Sequence, residues 1–208
     1  MKEFVIWDFD GVIIESDKIR ENGFREALKE FDNREVEKLI SYHRKNGGLS
    51  RYHKFEYFFN QINLEKHLCN KYTNNALKVF GDLMKKSLCN PSLLIKENLN
   101  KIEHLSKKSK MYIASGSDHI ELNEICRCLD LDKYFLGIYG SPTPKKQIVR
   151  ELLKNSNSTV KNWVLIGDSI NDYEAALDSN IDFIGYGDNK IINLSTMSFD
   201  DVIQDACE

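Results

Sequence analysis

Nowhere in this chain of 208 residues is there an apolar run approaching the roughly 18 residues needed to cross a bilayer as a helix. An excess of charge is also missing. With 29 Lys and Arg against 32 Asp and Glu, the net charge of -3 gives no global field to hold nucleic acid or an anionic membrane. The small basic clusters, Lys85 with Lys86 and Lys107 with Lys108 and Lys110, flank helical patterns and read as solvated faces. Cysteine is sparse, odd in number and scattered: Cys69, Cys89, Cys126, Cys128 and Cys207 argue against a disulfide framework and for reduced thiols. Cys126 and Cys128 point to different faces of a helix, which makes them a poor zinc pair. No secretory leader pattern precedes the first apolar run, so a cytoplasmic protein is expected. Proline is scarce, with three in all and the first at Pro91, and there is no internal repeat or low-complexity tract.

What is present is a set of short apolar runs that each end in Gly, Ser or Asp. In Phe4-Val5-Ile6-Trp7-Asp8-Phe9-Asp10-Gly11, two carboxylates lie two apart at a strand end, on one face if the strand continues, with a glycine where the chain turns. Either this is a hydrophilic turn after a buried strand, or the mutual repulsion of the pair is relieved by a hard divalent cation. A second run, Trp163 to Ile166, leads to Gly167-Asp168-Ser169-Ile170-Asn171-Asp172, where Asp172 also suits a helix N-terminus through the helix dipole. Between them, Met111 to Ala114 ends in Ser115-Gly116-Ser117-Asp118, a turn whose backbone N–H groups can cradle phosphate and whose Ser117 or Asp118 can cap the next helix. The fourth, Tyr139-Gly140-Ser141-Pro142-Thr143-Pro144-Lys145-Lys146, offers two lysines, either a phosphate ligand or an ordinary surface side chain.

Taken in order, these four segments resemble the four motifs of the haloacid dehalogenase superfamily of aspartate-dependent phosphohydrolases. Asp8 and Asp10 match the first motif, Ser115 the second, Lys145 the third by its Ser-Pro-x-x-Lys spacing, and Asp168 with Asp172 the fourth. An acid at Asp10 separates the chain from the dehalogenases proper and favours phosphate chemistry. The resemblance implies Asp8 as nucleophile through an aspartyl phosphate, Asp10 as general acid and then base, and Ser115, Gly116 and Lys145 as phosphate ligands. It implies Mg2+ as cofactor, with Asp8, Asp10 and Asp168 as ligands and Asp172 acting through water or by orienting Lys145. It also implies an α/β, Rossmann-like parallel sheet in the order 3-2-1-4-5, with ligands at the carboxyl edge of the strands. The chain's own pattern agrees, with strands expected at 3–7, 110–114, 135–139, 163–166 and 181–185 and helices at 118–129, 144–154 and 171–180.

Residues 18–91 differ in character, with almost no strand signal and amphipathic windows at 18–31, 34–45, 52–61 and 64–88. They read as an all-helical cap (a C1 insertion) in a core formed by residues 1–17 and 92–208. Within it, the basic loop around Gly47-Gly48-Leu49-Ser50-Arg51 makes Arg51 the first choice for a substrate contact, against the alternative that Ser50 only caps a helix. The aromatic run Tyr57-Phe58-Phe59 reads as cap core. The expected function is a Mg-dependent phosphatase of a small phosphorylated metabolite, a sugar phosphate or phosphoglycolate-like compound, acting as monomer or homodimer. The alternatives are a sugar-phosphate mutase, suggested by the Gly-x-Ser-Arg segment at residues 48–51, and a non-catalytic binding protein on the same fold.

Overall fold

Phe4, Val5, Ile6 and Trp7 are all buried because β1 (Phe4–Trp7) is the middle strand of five. In this computed structural model, which describes residues 2–62 and 64–204 apart from the side chains of 66, 67, 203 and 204, β1 lies between β2 (Lys110–Asp118) and β4 (Trp163–Gly167). Outside them, β3 (Gly137–Ser141) pairs with β2 and β5 (Asp182–Gly185) with β4. All pairings are parallel and the order is β3-β2-β1-β4-β5, as the sequence reading expected. Side chains alternate across the central strand, so Val5 and Trp7 join one apolar layer and Phe4 and Ile6 the other.

Four helices follow β1 and pack together: α1 (Asp17–Ala27), α2 (Asn33–Lys45), α3 (Arg51–Gln61) and α4 (Lys66–Leu88). Asp32 starts α2 by accepting from the Arg34 N–H, and Ser50 starts α3 by accepting from the His53 N–H. Their apolar faces meet around aromatic rings: Phe24 lies 5.3 Å from Phe55 and 4.6 Å from Phe80, and Phe31 packs edge-on to Phe58, Phe59 and Tyr72. Phe58 and Phe59 are buried, whereas Tyr57 is half-buried and stacks on Tyr42.

The chain then forms α5 (Lys96–Leu105), α6 (His119–Cys128) after β2, α7 (Lys145–Lys154) after β3 and α8 (Ile170–Asp178) after β4, with short α9 (Asn189–Ile192) and α10 (Phe199–Gln204) last. Two strands differ from expectation. β2 runs on to Asp118 through an irregularity after Ala114, and β3 starts at Gly137 because residues 132–134 form a 3-10 turn. The thiols also differ. Cys89 and Cys128 form a disulfide with Cα atoms 5.8 Å apart, because the end of α4 packs on the end of α6 and brings together cysteines 39 residues apart. Cys126 is buried and Cys69 half-buried, both as free thiols, and Cys207 lies outside the described residues.

Phe24 is the hub of the cap's ring cluster, so Phe24→Ala is expected to destabilise the protein by about 3–5 kcal/mol. Urea denaturation followed by circular dichroism measures it; a loss below about 1 kcal/mol would mean that the cluster does not hold the four helices.

Candidate active site

The strand order brings the carboxyl ends of β1, β2 and β4 to one edge, and with them the chemistry-bearing turns. Asp8, the first residue beyond β1, is 2% exposed, and its N–H donates to the Ile166 carbonyl at 2.9 Å, which extends the β1–β4 pairing by one step. Beyond β4, Ser169 and Asp172 form a capping box that starts α8, the Ser169 backbone N–H donating to Asp172 Oδ2, and the Ser169 hydroxyl donates to the same oxygen. The carboxylates of Asp8, Asp168 and Asp172 offer oxygens all within 4.8 Å of one another.

One cation compensates this crowding. Lys145, at the first turn of α7, is buried, with Nζ 2.9 Å from Asp8 Oδ1 and hydrogen-bonded to Asp172 Oδ1. Burial works against its charge, but Asp172 and Asp8 more than offset that and raise its pKa. Lys146 instead pairs with Glu174 at 3.0 Å on the surface. Compensation is incomplete: burial, then the charge of Asp172, pushes Asp8 up to about 7, and burial with the charges of Asp8 and Asp172 pushes Asp168 up to about 9. The three oxygens fit a hard divalent cation at Asp8 and Asp168, whereas both Asp172 oxygens are already taken by Lys145 and Ser169.

Asp10 stands apart from that cluster. Its Oδ1 accepts from Ser16 Oγ at 2.5 Å and Arg20 Nε at 2.7 Å, and its Oδ2 accepts from Ser117 Oγ at 2.6 Å. Burial acts to raise its pKa, but the Arg20 charge and the bonds from Ser117, Ser16 and Arg20 hold it below the ordinary carboxylate value. Its carboxylate is therefore engaged by Ser16, Arg20 and Ser117, away from the cluster, and the ligand expected at this position is its backbone carbonyl. Ser115 is buried, its Oγ accepting from the Ser117 N–H. Gly116 lies beneath the cap: a Cβ there would meet the Gly48 carbonyl oxygen at 2.1 Å. Gly11, with φ +74°, makes the turn after Asp10 so close to Asp168 that a Cβ would come within 2.0 Å of its carboxylate. Asp8, Asp10, Asp168, Ser115 and Gly116 line a cavity of about 70 Å³ whose other side is formed by residues of α1 to α4 and the loop before α3.

Residues 5–186 match the haloacid dehalogenase-like hydrolases. The chain belongs to that family. It is similar to a phosphorylated carbohydrates phosphatase of Thermotoga maritima, with 26% identity over 89% of this chain and 84% of that protein. A phosphoglycolate phosphatase of Colwellia psychrerythraea is 26% identical over 90% of this chain and 86% of its own length. In fold it resembles a structure titled a predicted phosphoglycolate phosphatase from Haemophilus somnus, with TM-score 0.73 and 17% identity over 98% and 97% of the two chains. The chain is an enzyme of the phosphomonoester-hydrolysing kind within the haloacid dehalogenase-like hydrolases.

For this hydrolase, Arg51 is the sequence-predicted residue whose surroundings differ most from expectation. It lines the cavity, but its Nη1 is 2.7 Å from Glu121 Oε2, its Nη2 is 3.6 Å from Asp118 Oδ1, and its guanidinium lies over the Phe80 ring. Both forks are committed to clamping the start of α3 onto the start of α6. Sequence reading also missed Arg20, whose Nη2 donates to Ser117 Oγ at 2.7 Å while Nε holds Asp10. Its one signal was an arginine on the buried side of an otherwise amphipathic window.

The raised pKa of Asp168 has a measurable consequence. A group whose folded pKa is raised favours folding below its unfolded value, near 3.8, and loses that advantage as pH rises towards about 9. In metal-free protein, Asp168→Asn is therefore expected to raise Tm over wild type by a margin that widens from pH 5 to pH 9. A margin independent of pH would show that Asp168 ionises freely.

Proposed function

We propose that this hydrolase is a Mg-dependent phosphatase of a small phosphorylated metabolite, working through an aspartyl phosphate on Asp8. The observation that carries this reading is the buried Lys145 bridging Asp8 and Asp172, with Asp168 within the same 4.8 Å cluster, under a helical cover. A phosphomonoester dianion repels a carboxylate nucleophile, so positive charge must neutralise its oxygens first. Mg2+, held by Asp8 and Asp168, supplies that charge when bound. Lys145 presents an ammonium beside the Asp8 oxygen that attacks, and Ser115 with the Gly116 N–H binds the phosphoryl oxygens as charge builds.

Attack by Asp8 forms the new O–P bond as the ester P–O bond breaks, and the leaving alkoxide takes a proton from Asp10. In the second half, Asp10 removes a proton from the water that attacks phosphorus, and inorganic phosphate leaves with Asp8 restored. Arg20, Ser16 and Ser117 hold Asp10 ionised, the form the second half needs. The first half requires a protonated Asp10, so substrate entry must loosen Arg20's grip. Size favours a compact substrate: the 70 Å³ cavity lined by Phe24, Leu49 and Phe80 is small, although a wider cleft of about 750 Å³ opens beside it through Asp17, Gly47 and Asp168.

Phosphate release from a panel of sugar phosphates, phosphoglycolate and nucleoside monophosphates is expected to need Mg2+, to stop with EDTA, and to fall by at least about 10³-fold in Asp8→Asn. Release that survives EDTA would remove the metal from the mechanism, and release that survives Asp8→Asn would remove the covalent step. No release from any ester, with interconversion of a sugar phosphate that a bisphosphorylated sugar activates, would mean that a sugar hydroxyl, not water, accepts the phosphoryl group.

A further inference from the structure

Four cationic or basic side chains reach the cavity from the cap: Arg20, His43, Arg51 and Lys54. Arg20 is neutralised by Asp10 and Arg51 by Glu121 and Asp118. Lys54, on α3, is different. It is 4% exposed and has no carboxylate within ion-pair distance among the described residues; burial, then the Arg20 charge, pushes its pKa down to about 7 against the pull of Asp10, Asp17 and Asp8, and its Nζ meets His43 Nδ1 at 2.8 Å. His43 cannot share the charge, because burial, then the nearby Lys54 and Arg20 charges, pushes its pKa down to about 3 and keeps the ring neutral. An ammonium has three donors, and one is used on His43. Burying such a group without a counter-ion is unfavourable, so a protein that keeps one in a ligand cavity gains when the ligand brings the anion.

We propose that Lys54 is the anchor for a carboxylate carried on the leaving group of the substrate, so that the enzyme's substrates are short phosphorylated hydroxy acids and not neutral sugar phosphates. This rests on the phosphatase reading, since it assigns the phosphoryl end to Asp8, Ser115 and Lys145 and the other end to the cap. The cavity's geometry matches that division: Asp8, Ser115 and Gly116 form its floor, and Lys54, His43, Leu49 and Phe80 are its cap side. Its small volume leaves room for only a few heavy atoms between the two ends. A single ammonium beside a neutral imidazole recognises charge at short range and demands little of the stem, whereas a neutral hydroxyl in the same place would leave Lys54 without a counter-ion.

The test compares 2-phosphoglycolate with 2-hydroxyethyl phosphate, which match in length and differ in the charge of the far end. Wild-type protein is expected to prefer 2-phosphoglycolate in kcat/KM by about 10- to 100-fold, the range of a charge-assisted hydrogen bond. Lys54→Met should abolish that preference, chiefly by lowering kcat/KM for 2-phosphoglycolate, and Lys54→Arg should restore part of it. Calorimetric titration of Asp8→Asn with both esters, with and without Lys54→Met, reads the same discrimination without turnover, and Tm shows whether each variant is folded. If both esters are hydrolysed alike, or the preference survives in Lys54→Met, the anchor is overturned and the phosphatase stands. If neither releases phosphate but Asp8→Asn discriminates through Lys54, the phosphatase reading fails and the anion site stands.

Discussion

Everything at the sheet edge is arranged around a charge problem: three carboxylates within 4.8 Å of one another, in surroundings where Asp8 and Asp172 have almost no contact with water. Such a cluster is not made for stability, since like charges in a low-dielectric site repel more strongly than in water. It persists because α7 delivers one ammonium between Asp8 and Asp172, and because the α8 N-terminus binds the second Asp172 oxygen through Ser169. What remains unbalanced at Asp8 and Asp168 is attraction for further positive charge. The same deficit that makes the cluster costly would draw a cation to it.

The cap brings its own charges to this edge and pairs them across the interface. Arg20 of α1 reaches Asp10 and Ser117, and Arg51 of α3 reaches Glu121 and Asp118 on α6. The Gly48 carbonyl rests against Gly116, so the loop that begins α3 sits directly over the phosphate-binding turn. Through Arg20, α1 reaches into the sheet edge and, with Ser117 and Ser16, holds the Asp10 carboxylate below its ordinary pKa.

How much of this was legible in the sequence follows from what each signal depends on. The turns carrying Asp8, Ser115, Lys145 and Asp168 were legible because each combines an apolar run with a local change of residue type, and the parallel sheet followed from their alternation with helices, its strand order from the family resemblance they carry. Asp172 was legible for two reasons at once, since its capping-box bond and its place beside Lys145 need the same spacing from Ser169. Arg20 with Ser117, Arg51 with Glu121, and Cys89 with Cys128 were not legible, because they join residues 97, 70 and 39 apart whose meeting depends on how the cap docks. The start of β3 was misplaced for a subtler reason. Phe135 and Leu136 continue the apolar pattern, but a 3-10 turn at residues 132–134 carries the chain to the sheet edge, and pairing with β2 begins only at Gly137.

The paired charges also bear on how readily the cap can lift. A buried ion pair roughly breaks even between its mutual attraction and the hydration both partners give up, and it becomes strongly unfavourable only when one partner is left buried alone. Lifting the cap would expose Arg20 with Asp10 and Arg51 with Glu121 together, so neither charge is stranded and both regain water. These pairs are only part of what joins the two layers: one apolar cluster runs from Phe24, Phe55 and Phe80 to Leu122 and Ile125, and the Cys89–Cys128 disulfide ties the end of α4 to α6. Lys54 sits in the same layer, where burial and the Arg20 charge oppose its protonation, and an anion beside it would favour the charged form.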